Sequence, residues 1–196
     1  MSSIHFNADD LSLLSNADIL RRKKQIQDKL YYLLDFVRQD ITSSIKSNSI
    51  SLEGKNFNEP KISRGENYSE LPYLVLDYPS KFEEDNIFAC RTMFLWGCFF
   101  SSTIHLQGQY LDRNRQQIKT IAQKLIGTPV YISCGESPWK YSYEPDNYLP
   151  LTETSIDQIN RNSFIKISQK IELDDYSKVR EIASKFYLPF LEELSY

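Results

Sequence analysis

Glycine is scarce in this 196-residue chain, with six in all. Neither a dinucleotide-binding fingerprint nor a Walker-type phosphate loop can be written from them. Both motifs need several glycines at fixed short spacings so that the backbone can approach a phosphate. Histidine is scarcer still: His5 and His105 are the only two, and no Cys-x-x-Cys pair occurs. The usual ligand spacings of a zinc site are therefore missing. Cysteine is limited to Cys90, Cys98 and Cys134, an odd number that argues against a disulfide framework and fits a reducing compartment. Long apolar runs are missing too. The longest stretch, residues 87–100, is broken by Arg91, Thr92 and Gly97 and is too short and polar to cross a bilayer. The first ten residues lack a basic segment followed by an apolar one, which predicts no secretory leader. Charge of one sign is not in excess either. With 23 bases against 26 acids the net charge is -3, so nothing draws the whole chain toward nucleic acid or anionic lipid. These absences together predict a cytoplasmic protein with no membrane contact, no nucleic-acid partner, no metal and no cofactor.

The chain is rich in what makes a core. Hydrophobic residues form 41% of it and aromatic residues 13%, enough for one domain of this length to bury its apolar surface without staples. We expect a single domain over residues 1–196, of α+β class. The pattern gives a mostly antiparallel sheet with a long N-terminal helix, a middle helix and a C-terminal helix packed on it. Residues 8–14 suit a short helical turn. Ser15 and Asn16 can cap the long helix, whose apolar positions Ile19, Ile26, Leu30, Leu33, Leu34, Val37, Ile41 and Ile45 recur at helical spacing. Residues 47–65, punctuated by Gly54, Asn56, Asn58 and Pro60, read as a mobile connection. Residues 112–127 form the middle helix, closed by Gly127 and Pro129. Residues 130–133 and 164–173 read as strands. Residues 174 onward read as the last helix, which Pro189 should kink or restart.

The centre reads as sheet. Leu71–Pro79 is a strand bracketed by prolines, so its pairing should end near Pro79. Residues 87–106 are too long for one strand of about five or six residues. Folding them at Trp96-Gly97 as a two-residue hairpin uses the freedom of glycine at positive φ. That turn pairs Leu95 with Cys98. It places Cys90 on one face with His105, and Arg91 on the other. An unbroken strand would instead put Arg91 and His105 together.

Candidate chemistry concentrates here. Cys90 and His105 are the candidate catalytic pair, a thiol and a base, set against the plainer reading of a structural histidine. Zinc held by Cys90, Cys98 and His105 is the less favoured reading, because buried cysteines mostly act as small hydrophobes. Arg91 sits mid-strand among apolar residues and needs a carboxylate partner, Asp77 or Glu136, or an anionic ligand. Tyr78 completes that candidate ligand set of Arg91, Tyr78 and Asp77. The segment 134–148 carries Trp139, Tyr141, Tyr143 and Tyr148, ring types enriched where proteins meet. They form a candidate partner-binding loop, or else fold onto the core as an edge strand. Arg21–Lys24 is a basic run that reads as a solvated face of the long helix.

Leu71-Pro72-Tyr73, Leu76-Asp77-Tyr78-Pro79 and Arg91–Gly97, followed by His105-Leu106, resemble a family of bacterial proteins of unknown function. The resemblance covers roughly residues 60–110. It implies a compact domain and brings no activity, cofactor or site. Two functional readings follow from the residues. The first is a non-catalytic interaction protein that uses the aromatic loop to hold a protein partner. The alternative is a protein that binds a small anionic ligand, or an enzyme, with a pocket at the central sheet around Arg91 and His105. The alternative requires those two side chains to share a face.

Overall fold

The computed structural model describes residues 4–51 and 57–194. The elements run α1 (Ala8–Ser15), α2 (Ala17–Ser47), β1 (Lys61–Tyr68), β2 (Leu71–Phe82), β3 (Ile87–Leu95) and β4 (Phe99–Gln107). They continue with α3 (Gln109–Asp112), α4 (Arg115–Leu125), β5 (Val130–Ser133), β6 (Tyr148–Pro150), α5 (Gln158–Arg161), β7 (Phe164–Ile171) and α6 (Val179–Glu193). The seven strands form one sheet in the order β1-β2-β3-β4-β7-β5-β6, and every neighbouring pair is antiparallel. The class is α+β, with the long helix α2, the middle helix α4 and the C-terminal helix α6 beside the sheet. No helix among the described residues is long and apolar enough to cross a membrane.

Alternation along the strands gives the sheet two different faces. On one face Leu74, Leu76, Phe88, Cys90, Phe94, Phe100, Ile104, Ile165 and Ile167 join Leu34, Val37 and Ile41 of α2 and Ala183, Phe186 and Phe190 of α6 in the main core. On the other face Val75, Met93, Leu95 and Phe99 form a smaller cluster with Tyr141. Tyr187 of α6 ties the main core to the sheet. Its hydroxyl accepts from the Thr103 N–H at 3.1 Å and lies 3.0 Å from Thr92 Oγ1, all of it buried. Tyr187→Phe removes the hydroxyl that Thr92 and Thr103 share and leaves the buried Thr92 hydroxyl without that partner, which costs roughly 1–3 kcal/mol. A chain of this size should then melt about 2–4 °C lower per kcal/mol lost, as thermal denaturation will read.

Three expectations from the sequence need correction here. The hairpin loop has three residues, not two: Leu95 pairs with Phe99, and Gly97 takes φ +72° within the turn. The register therefore shifts by one residue and Arg91 lies opposite Thr103, Ala89 opposite His105. A slip of one residue turns every side chain of a strand to the other face. Arg91 and His105 thus share a face, and Cys90 lies on the opposite one. Second, β2 does not end at Pro79. A bulge between Asp77 and Ser80 takes up the residue that cannot donate, and pairing resumes from Ser80 to Phe82. Third, residues 61–65 belong to β1 rather than to a connection, and residues 52–56 of that expected connection lie outside the described residues. Helix α6 runs as one element across Pro189 and so does not restart there.

The apolar pattern of α2 divides in the same way. Gln27, Leu30, Leu34, Val37, Ile41 and Ile45 are buried. Ile19 and Ile26 are exposed and Leu33 is only half-buried. None of the residues from Ala17 to Ile26 is buried, nor is any residue of α1. Helix α1 nonetheless has a well-made start: Asn7 and Asp10 cap each other's backbone amides at 2.9 Å. Helix α1 and the first ten residues of α2 therefore form an arm that buries none of its residues.

Candidate functional site

The loop between β5 and β6, residues 134–147, lies over the second face of the sheet. Buried Asn147 closes its base by donating to the carbonyls of Lys140 at 3.0 Å and Ser142 at 2.7 Å. Lys140 also pairs with Asp146 at 2.6 Å. Beneath the loop, sheet register sets Asp77, Arg91, Thr103, Ser168 and Tyr131 in one row across five strands. Ala89, His105 and Lys166 form the next row.

Arg91 is fully occupied in this arrangement. Its Nε and Nη2 donate to the two carboxylate oxygens of Asp77 at 2.7 and 2.8 Å, and its Nη1 donates to the Tyr141 hydroxyl at 2.8 Å. The guanidinium also stacks 4.9 Å from the Tyr141 ring centre. Burial opposes its charge, but the Asp77 hydrogen bonds and the neighbouring Tyr141 outweigh it and hold the pKa above the ordinary arginine value. Burial raises the Tyr141 phenol to about 12. Of the two carboxylates the sequence offers Arg91, Asp77 is the one engaged.

Lys166 is a buried cation that the residue pattern did not single out. It is completely buried, and its ammonium donates to the backbone carbonyls of Lys140 and Ser137 from the covering loop. The rings of Tyr141 and Tyr148 stand 4.8 and 5.1 Å from it. Burial, reinforced by the charge of Arg91, lowers its pKa to about 7. His105 is buried beside it, edge-on to Trp139 and Phe164. Burial, followed by the charges of Lys166 and Arg91, lowers its pKa to about 3, so it is a neutral imidazole at pH 7.

The remaining candidates separate. Cys90 faces the helices, across the sheet from His105, and burial pushes its thiol pKa up. A Cys90–His105 pair is therefore not formed, because the three-residue turn sets the opposite parity. Tyr78 also leaves the Arg91 group. It lies on the helix side, 3.4 Å from the Thr42 hydroxyl of α2. Tyr141 and Tyr148 are buried and Tyr143 is half-buried, its ring stacked on Tyr148 at 5.0 Å and its hydroxyl bonded to Ser168. Those three rings fold onto the sheet. Only Trp139, 51% exposed, is offered to solvent. In the basic run, Arg21, Lys23 and Lys24 pair with Asp18, Glu66 and Asp28, which breaks any continuous basic surface.

The unpartnered apolar surface lies elsewhere, on the N-terminal arm. Leu11, Leu13 and Leu14 of α1 are 55%, 63% and 70% exposed. Farther along α2, a groove of about 500 Å³ is lined by Ile26, Lys29, Tyr32, Leu33 and Phe36 together with Phe100 and Tyr176. The sequence held a signal for this surface. Ile19, Ile26 and Leu33 recur at intervals of seven, a second stripe alongside the buried one.

No protein-family model, curated protein or solved structure matches this chain.

Proposed function

We propose that this chain is a non-catalytic interaction protein, and that its contact surface is the apolar arm and groove of α1 and α2. The observation that carries this reading is the arm itself: a capped helix that buries none of its residues, leading into a groove walled by leucine, isoleucine and aromatic side chains. Tyr32, Phe36 and Tyr176 in its lining are each 44–64% exposed. At roughly 150–250 Å² per aromatic side chain, they leave on the order of 300 Å² of apolar surface open. That already reaches the range of the largest patch on an ordinary monomer, about 300–600 Å², before the exposed leucines and isoleucines are counted. The groove has the form that receives an amphipathic helix. The charged row beneath residues 134–147 supports this reading from the other side. Arg91 is satisfied by Asp77 and Tyr141, and the loop's own rings fill that face of the sheet.

Comparison of two variants as bait tests the proposal. Phe36→Glu should abolish capture of the partner while leaving the melting temperature nearly unchanged, because Phe36 is 44% exposed and the Arg180 guanidinium over its ring can pair with the new carboxylate. Trp139→Ala should capture as well as the wild type. Equal capture by Phe36→Glu would overturn the reading, and selective loss with Trp139→Ala would return the contact to the aromatic loop.

A further inference from the structure

We infer that the groove on α2 receives the N-terminal arm of a second copy of this chain, and that the exchange is reciprocal. This inference rests on the interaction reading above and supplies its partner. One chain carries both a knob and a socket, and the knob does not fill the socket within it. The knob is α1 with its exposed Leu11, Leu13 and Leu14. The socket is the groove at Ile26, Leu33 and Phe36, whose lining includes nothing from α1.

Charge favours the same occupant. The first turn of α1 carries Asp9 and Asp10, and the helix has no base of its own. In the stretch of α2 leading into the groove, Arg21, Lys23 and Lys24 are already paired with acids of the same chain, which leaves two cations to meet a partner. Arg22 and Lys29 there are exposed and have no ion pair among the described residues. An acidic, leucine-bearing helix therefore suits a basic approach with an apolar floor.

Area favours it as well. A stable contact needs about 800 Å² from each partner. In a reciprocal exchange each chain contributes arm and groove together, so Tyr32, Phe36 and Tyr176 are covered along with the exposed leucines of α1. Both copies use the same patch, which closes a two-fold dimer and leaves no open end for a filament.

Light scattering after size exclusion, with a dilution series by sedimentation velocity, reads the outcome. The wild type should have twice the mass of the 23.0 kDa chain and dissociate on dilution. Leu13→Asp combined with Leu14→Asp, and separately Phe36→Glu, should each halve that mass with an unchanged circular dichroism spectrum. A cross-link places the contact. With Cys98 and Cys134 replaced by serine, a mixture of Leu14→Cys and Phe36→Cys chains should form a disulfide-linked dimer on oxidation, and neither chain alone should do so. A wild type that is monomeric throughout the series overturns the inference, as does an arm variant that stays dimeric. If the wild type is monomeric and Phe36→Glu still loses a captured protein, the second copy is excluded and the groove remains the contact surface. If capture is also unaffected, both readings fall.

Discussion

Asp77→Asn should lower the stability of the fold by about 3–5 kcal/mol, the cost of removing one partner from a buried ion pair. Asp77 supplies two acceptor oxygens to Arg91, and both side chains are largely buried, at 16% and 14% exposure. Asparagine keeps the shape and one acceptor oxygen but cancels the charge and turns the other oxygen into a donor, so the guanidinium stays under residues 134–147 with no counter-charge. The charge cannot be shed, because an arginine does not deprotonate. Urea denaturation should show the loss as a lower midpoint. The double variant Asp77→Asn with Arg91→Met should recover much of it, since no buried charge is then left without a counter-charge. A single variant as stable as the wild type would mean that solvent reaches Arg91.

Stability should also depend steeply on pH, through two neighbours on the same face. Lys166 titrates near 7 in the fold against an ordinary 10.5. Between those values the unfolded chain holds a proton that the folded chain has released, so stability rises with pH. His105 titrates near 3 against 6.5, and by the same reasoning stability rises from pH 3 to 6.5. A tenfold change in proton affinity between the two states is worth about 1.4 kcal/mol, so each group moves stability by several kcal/mol over its range. Above pH 10 the sign reverses. An unfolded tyrosine ionises there, whereas Tyr141 holds its proton to about 12. The profile should therefore climb from acid to a maximum just below pH 10 and then fall. Lys166→Met should flatten the climb above pH 7 and shorten the acid limb without abolishing it, because burial and the charge of Arg91 still lower the His105 pKa. Urea midpoints across the range check this. A wild-type profile that is level between pH 7 and 10 would show that the Lys166 ammonium is solvated.

Much of the architecture was legible in the residue pattern, because local signals and tertiary packing agree there. The long helix, the antiparallel centre, the middle helix closed at Gly127 and the C-terminal helix all carry periodicity or capping signals. The β1 strand carried none. Lys-Ile-Ser-Arg-Gly-Glu-Asn-Tyr is a polar edge strand with a glycine inside, and it joins the sheet only because β2 offers it a partner. The turn at Gly97 is compatible with loops of two or three residues, and that single ambiguity decided whether Cys90 or Arg91 would meet His105. The pairing of Arg91 with Asp77 could be anticipated from the cost of a lone buried charge. Lys166 could not, because Ile-Lys-Ile reads as a strand with one wet side. A covering loop from elsewhere in the chain makes that side dry. The same loop turned Tyr141 and Tyr148 inward, and alternation along residues 139–143 puts rings on one side without saying which side faces solvent. On α2, the exposed residues Ile19 and Ile26 merged with the buried stripe because intervals of seven and four are both helical.

Helix α2 has neither glycine nor proline between Ala17 and Ser47, and such residues are where long helices bend sharply. Its inner half is clamped between sheet and α6, so the outer ten residues act as a lever about 15 Å long with a fixed bearing on the core. Whatever grips that lever is held at a set distance and angle from the sheet. The spacing between joined bodies is then dictated by the rod itself rather than by the strength of the grip.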